Sequence, residues 1–305
     1  MQTKKIKVAF LFSILIFTNL VFADVNASTF NVKWIGYSSS RDNEGIAKLM
    51  SEGHRDVVFI QEVVSPPTDI NITGEPGWAI SGDAESAAFF DAMQQQGYDY
   101  ALSEEDTGTG DSIHSNSAST EWFVAFYKQD KLTLIDKGYL AEDRSNNDDY
   151  ERVPYYFTFK DKSGMDFTVI STHLNPGSSN ADTDRRYHEL SSIVSWVFKQ
   201  ASMGSERDFI IVGDMNVYDC DVLDRRVDAL FSRANRECLN SNLKKSEPYD
   251  QVLYIKNYTR IDNYEVLDLY EIFELPTSTP NDEVNAKYSD HHPIFFTIIG
   301  NGDDD

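Results

Sequence analysis

In the stretch DFIIVGDMN, four consecutive apolar residues, Phe209, Ile210, Ile211 and Val212, stand between Asp208 and Gly213. A run this short, bounded by a glycine and showing no alternation, reads as a strand buried on both faces of a sheet. The strand is expected to stop at Gly213. Beyond it come Asp214 and Asn216, a carboxylate and an amide two residues apart, which project toward the same side. A buried strand that delivers polar groups at its carboxyl end is how a sheet builds a site. Taken alone, the segment fits an ordinary Asp/Asn turn equally well.

Other segments repeat the pattern. In DVVFIQEV the apolar strand Val57 to Ile60 runs into Glu62, and in DFTVISTHLNP the strand Phe167 to Ile170 runs on to His173. Asp250 opens the strand of PYDQVLYI, and Asp290, His291 and His292 precede a last strand from Pro293 to Ile299. Glu121 leads into the aromatic strand of EWFVAFYK, which is followed by a partner run from Lys131 to Leu140, and Arg152 precedes another strand. STFNVKWIG is an alternating strand with Asn31 in its middle. Asn is depleted from strands, so Asn31 marks a bulge or is present for its amide.

Helices fill the intervals. Asp42 is a candidate cap for one with Ile46, Leu49 and Met50 on its apolar face, and Asp83 for one with Phe89, Phe90 and Met93. Tyr187, Leu190, Ile193, Val194 and Val197 repeat at helical spacing, with Arg185, Arg186 and Glu189 on the polar first turns. Asp221 to Phe231 reads as an acidic helical stretch. Residues 65–82 and 103–119 are loop-like, and His114 in the second is given no role.

The leading segment has Lys4, Lys5 and Lys7 ahead of an apolar run, with Val21 and Ala23 at the small-residue positions before a cleavage point. It reads as a secretory signal over residues 1–23, leaving 24–305 as one catalytic domain. A membrane anchor is the alternative; Thr18, Asn19 and the missing second charged flank speak against it. Cleavage leaves 24 basic against 50 acidic side chains, a net charge of −26. Long-range attraction to nucleic acid or an anionic membrane is thereby disfavoured, so a polyanionic substrate has to be met by local arginines or bound cations. Cys220 and Cys238 close a short loop; a disulfide fits an oxidising compartment, and two buried thiols are the alternative.

Each acid or histidine has a structural explanation, but strand after strand ends or begins with one. Glu62, Asp214, Asn216 and Asp290 offer hard oxygen ligands suited to magnesium or manganese, with calcium a further candidate, and no thiolate cluster suggests zinc. Histidines with acids available to orient them suit proton transfer and stabilisation of charge on a phosphate. A divalent cation with oriented histidines points to phosphoester hydrolysis.

The ordered set TFN, IQE, TEW, YERVP, THLNP, GDMN, YDQV and YSDHHP resembles the endonuclease/exonuclease/phosphatase (deoxyribonuclease I-like) family over nearly the whole chain after residue 23. The resemblance implies an α/β fold, a four-layer α/β sandwich of two mixed β-sheets packed face to face with outer helices. It implies Glu62 as principal metal ligand with Asn31 and Asp290 nearby, and Asp214 and Asn216 orienting the nucleophile or holding a second cation. His291 would be the general base with Asp250 fixing its tautomer, His173 would act at the scissile phosphate oriented by Glu121, and Arg152 would touch phosphate. His292 would be a neighbour without chemistry. Val64 and Ser65 stand where deoxyribonuclease I has an arginine that enters the DNA minor groove, which weighs against duplex minor-groove reading.

The expectation is a secreted phosphodiesterase, extracellular or periplasmic, acting as a nuclease on DNA, with no stable membrane association and no protein partner implied. A phospholipid or sphingomyelin phosphodiesterase, a small-phosphoester phosphatase and a non-catalytic binding module are the competing readings.

Overall fold

The computed structural model describes residues 24–37, 40–71, 79–80, 82–108, 121–142, 147–204, 206–227 and 229–300. The expected signal segment and His114 lie outside them. The chain forms β1 (Val25–Ile35), α1 (Asn43–Glu52), β2 (Val57–Val63), β3 (Ile70–Asn71), β4 (Ala79–Ile80), α2 (Ala84–Gln95) and β5 (Asp99–Leu102). Next come β6 (Trp122–Tyr127), β7 (Leu132–Tyr139), β8 (Tyr155–Asp161), β9 (Asp166–His173) and α3 (Asn180–Met203). The last third holds β10 (Phe209–Asp214), α4 (Cys220–Arg226), β11 (Phe231–Arg233), β12 (Asp250–Ile255), β13 (Ile261–Val266), α5 (Leu269–Ile272), α6 (Asn281–Lys287) and β14 (Ile294–Ile298).

Strands with no polar alternation have two apolar faces to bury, and the layers follow from that. From β2, Val57 and Phe59 enter a core that they share with Phe157, Phe167, Ile210 and Val212, while Val58 and Ile60 turn to the opposite side and meet Ile46, Met50 and Phe89. From β10, Ile210 and Val212 face the shared core, while Phe209 and Ile211 pack with Leu190, Ile193 and Val197. The result is two six-stranded mixed sheets face to face, in the orders β13-β14-β1-β2-β6-β5 and β11-β12-β10-β9-β8-β7, with α1 and α2 outside one and α3 outside the other. This is the four-layer α/β sandwich expected from the sequence.

Local signals start α1 and α2 at the expected caps, and a further cap starts α3. Asp42 accepts from the Gly45 amide, Asp83 accepts from Glu85 and Ser86, and Ser179 and Asp182 close a capping box on α3. Cys220 and Cys238 are disulfide-bonded.

Two expectations change. The DFIIVGDMN strand does not stop at Gly213: β10 continues through it to Asp214, with Gly213 paired to Thr172 on one side and Gln251 on the other. Glycine is required there because its φ is +128° and a Cβ would lie 2.1 Å from the Thr172 carbonyl oxygen. The helical stretch expected from Asp221 to Phe231 ends at Arg226, since Val227 is already extended and Phe231 opens β11 against β12.

Candidate active site

Polar residues reach one edge of the sandwich through strand direction. β1 and β2 run parallel, as do β9 and β10, and toward their carboxyl ends stand Asn31, Glu62, His173 and Asp214. Their antiparallel neighbours present their beginnings at the same edge: Asp250 opens β12, while Glu121, Arg152 and His291 shortly precede β6, β8 and β14.

The two histidines have matching surroundings. His173 Nδ1 lies 2.8 Å from Glu121 Oε1, and His291 Nδ1 lies 2.8 Å from Asp250 Oδ2. Each carboxylate fixes its ring with the proton on Nδ1 and turns Nε2 inward. Both Nε2 atoms face one oxygen, Asp214 Oδ2, at 3.6 Å from His173 and 3.5 Å from His291. The same oxygen accepts from Asn31 Nδ2 at 3.0 Å, and that amide also donates to Glu62 Oε1 at 2.8 Å. Asn31 therefore bridges the two sheets. It also sits where the β1–β2 register shifts, so bulge and amide are both part of its explanation.

The carboxylates set the charge states. Burial tends to lower the pKa of both rings, and Arg152 adds to this at His173, but Glu121 and Asp214 hold His173 above its ordinary value. Asp250 and Asp214 together push His291 up to about 10. Burial raises Glu121, yet His173 and Arg152 outweigh it and bring this carboxylate down to about 2. Arg152 Nε is 2.6 Å from Glu121 Oε1, and its Nη1 is buried with no hydrogen-bond partner among the described residues.

Asn216 has φ +48° and pins the strand end: its backbone amide donates to Asp214 Oδ1 at 2.8 Å, and its side chain donates to the Leu174 carbonyl at 2.9 Å. Asp290 is half-exposed and ion-paired to Lys33, outside the carboxylate cluster. His292 turns the other way, accepting from the Leu269 amide at 3.1 Å.

Sequence reasoning missed several supports. Ser241 Oγ donates to Asp250 Oδ2 at 2.7 Å, and Ser289 Oγ donates to the Asn31 carbonyl at 2.6 Å while accepting from the His291 amide. Glu189, read as a polar first-turn residue, is buried and accepts from the amides of Glu151 and Asn175, tying α3 to the segments that carry Arg152 and His173. Ser289 lay inside the YSDHHP motif and so had a signal.

No protein-family model matches this sequence, and neither does any curated protein. Solved structures do. An endonuclease/exonuclease/phosphatase family protein from Leptotrichia buccalis is similar at a TM-score of 0.59 and 14% identity, covering 90% of this chain and 99% of that one. The human Nocturnin catalytic domain with bound sulfate aligns at TM-score 0.57 and 12% identity, over 90% and 93% of the two chains. D. rerio TDP2 complexed with a single-strand DNA product gives 0.55 and 12%, over 90% and 99%. The fold is that of the endonuclease/exonuclease/phosphatase proteins.

Within this endonuclease/exonuclease/phosphatase fold the donor set suits a divalent cation. Glu62, His173 and Asp214 each bring a ligand atom within 4.8 Å of the others, as do Asp214, Asp250 and His291. Glu62 Oε2 is buried and has no hydrogen-bond partner among the described residues, and burial raises the pKa of this carboxyl. A buried acceptor without a donor is costly unless a cation or proton meets it. A cavity of about 800 Å³ opens beside His291, lined in part by Lys33, Lys244, Tyr249 and Asp290.

Proposed function

We propose that residues 24–305 form one catalytic domain, secreted after removal of a signal peptide over 1–23, and that it is a divalent-metal-dependent phosphodiesterase cutting DNA. The observation that carries this reading is the pair of carboxylate-backed imidazoles whose Nε2 atoms converge on Asp214 Oδ2. The unpartnered Glu62 Oε2 calls for a cation and the unpartnered Arg152 Nη1 calls for an anion, the two charges that a metal-bound phosphodiester brings. The disulfide and the lack, among the described residues, of any helix able to cross a membrane are compatible with secretion. A single-strand DNA product is bound in the TDP2 structure of the same fold, which supports a nucleic acid substrate.

In the proposed reaction Glu62 would be the main anionic ligand of a divalent cation, with Asp214 as a second ligand and Asn31 and Asp290 as the neighbouring polar groups that could complete the set. Magnesium or manganese, where bound, would supply Lewis-acid polarisation of the phosphate and positive charge that offsets Asp214, one of the carboxylates that favour the charged form of His291. His291 then takes a proton from the attacking water, while Asp250, held by Ser241, stabilises the imidazolium. Arg152 and His173 balance charge on the phosphate, and His173 is placed to protonate the leaving oxygen. Asn216 keeps Asp214 aimed inward.

Purified protein should be offered plasmid DNA, RNA, sphingomyelin and a small phosphoester side by side, with magnesium, with manganese and with excess chelator. DNA should be cut fastest, only with metal, and Glu62→Gln should lose most of the activity while remaining folded by circular dichroism, because an amide binds the cation more weakly. Undiminished turnover in chelator refutes the metal requirement, and faster turnover of another substrate refutes the DNA assignment.

A further inference from the structure

The edge beside Asp290 carries two aromatic rings that nothing among the described residues covers. Trp34 is 47% exposed and Tyr37 is 79% exposed, and they meet edge to face with centroids 5.9 Å apart. Among the described residues the other exposed large hydrophobics are Ile135, Met203, Leu230, Leu239 and Tyr218, and of these Tyr218 meets the ring of Tyr249 at 5.2 Å. Lys33 and Trp34 both have positive φ, 49° and 57°, a conformation that non-glycine residues adopt at a cost and that tends to occur at ligand sites.

The surrounding structure fixes that conformation. Arg41 donates to the carbonyls of Val32, Lys33 and Tyr288, and Glu85 accepts from the amides of Gly36 and Tyr37 at 3.0 Å each. Arg41 and Glu85 are themselves ion-paired at 3.3 Å and almost wholly buried. The rings are therefore held out on a fixed support. Lys33 joins them to the site: its ammonium pairs with Asp290, next to His291, and lies 5.4 Å from the Trp34 ring centroid.

We infer that Trp34 and Tyr37 form a stacking platform for an unpaired base of the strand flanking the scissile phosphate, an assignment that rests on the nuclease reading above. The formal charge of the whole chain is −23, so a polyanion gains little from the long-range field, and contacts that do not depend on charge have to add to those of the local arginine and the cation at the scissile phosphate. Base stacking on an exposed ring is such a contact. Paired bases hide their faces inside a duplex, whereas a single strand or frayed end presents them. The platform therefore favours single-stranded over duplex substrate and gives binding that depends weakly on salt.

The test compares wild type, Trp34→Ala, Trp34→Phe and Tyr37→Ala on a 12-mer oligothymidylate, the same strand paired to oligodeoxyadenylate, and bis(p-nitrophenyl) phosphate, a diester too small to reach the platform. Wild type should prefer the single strand. Trp34→Ala should raise KM for it roughly tenfold, Tyr37→Ala should raise it less, and Trp34→Phe should keep most of the affinity, all with hydrolysis of the small diester within about twofold of wild type. A wild type that cuts the strands while Trp34→Ala matches it overturns the platform alone, as does a preference for duplex or an equal loss on the small diester. A wild type that cuts the small diester and neither strand overturns the nuclease reading and the platform together. Sedimentation of wild type but not Trp34→Ala with sphingomyelin vesicles, without the oligonucleotide effect, assigns the rings to a lipid surface and overturns it too.

Discussion

Asp214 Oδ2 is shared by Asn31, His173 and His291, while each imidazole keeps a second carboxylate on its far nitrogen. Groups arranged this way act as units, so removing either member of a pair should cost about as much as removing both. If His291 is the base, His291→Ala should lower the steady-state rate on one DNA substrate by about 10²–10⁴. Asp250→Asn should match it, the double variant should be little worse, and His292→Ala should stay near wild type. A greater loss at His292 than at His291 would overturn the assignment. Glu189 carries a separate expectation for pH. Burial lifts its carboxyl from the ordinary 4.5 to about 7, against the amides of Asn175 and Glu151 and the charges of Arg185 and Arg152. Between those two values the folded chain binds a proton that the unfolded chain has released, so this residue makes stability fall as pH rises through that window. Glu189→Gln should flatten that part of the profile of Tm against pH; parallel profiles would refute it. Most of the residues that the structure gathers at this edge could be picked out because they stand near the start or end of an apolar run, whereas Asn31, in the middle of its strand, was marked by its unusual residue type. Lys33 and Ser289 were not recognised, since their roles arise from contacts with residues remote in sequence: Lys33 with Asp290 and Ser289 with Asn31 span more than 250 positions. Ser241 reaches Asp250 from nearby in sequence, but it lies in a loop without apolar patterning or a motif.

At the scale of elements, α1, α2 and α3 were legible from apolar spacing, and the first two also from their caps, which are local signals; α5 and α6 went unread and α4 was read too long. Strand continuation was harder to read, because whether a glycine ends a strand depends on what packs against it. Gly213 and Gly164 separate the two effects of a positive φ. At Gly164, φ is +107° and nothing lies within 4 Å of a built Cβ, so Gly164→Ala should cost only the backbone strain, about 1 kcal/mol. At Gly213 the same strain is joined by a Cβ 2.1 Å from the Thr172 oxygen, which can yield only if the β9–β10 pairing opens. Gly213→Ala should therefore cost about 3 kcal/mol or more, and should impair activity by displacing Asp214 and His173, which are paired one residue further on. Chemical denaturation of both variants measures the contrast, and equal midpoints would refute it. The disulfide joining the start of α4 to the loop after β11 closes a loop of 18 residues, for which chain entropy gives about 3 kcal/mol.

For the molecule as a whole, the order of strands is what periodicity alone does not supply. β1 pairs with β14 from the far end of the chain, and the sheet that holds β1 and β2 meets the other at the site through polar links that include Asn31 to Asp214 and Gln61 to Ser171 at 3.0 Å each, and Glu121 to His173 and His291 to Asp250 at 2.8 Å each. The resemblance of the ordered motifs, rather than any run of residues, pointed to the sandwich. This assembly gives the proposed cation a structural effect that can be measured without substrate. Glu62 belongs to one sheet and Asp214 to the other, so an ion shared by them ties the sheets together only in the folded state. Binding to the folded state alone adds about 2.7 kcal/mol at a metal concentration a hundred times Kd. For a chain of this size that corresponds to a rise in Tm of roughly 4–5 °C. Titration of magnesium or manganese chloride into the protein, followed by thermal unfolding, should show the rise, and a chelator should reverse it. Glu62→Gln should unfold at or above the metal-free wild-type temperature, because its amide removes a buried carboxylate oxygen that has no partner, and its Tm should no longer respond to metal. An unchanged wild-type Tm at saturating metal, or an equal rise in Glu62→Gln, would remove Glu62 from the binding site.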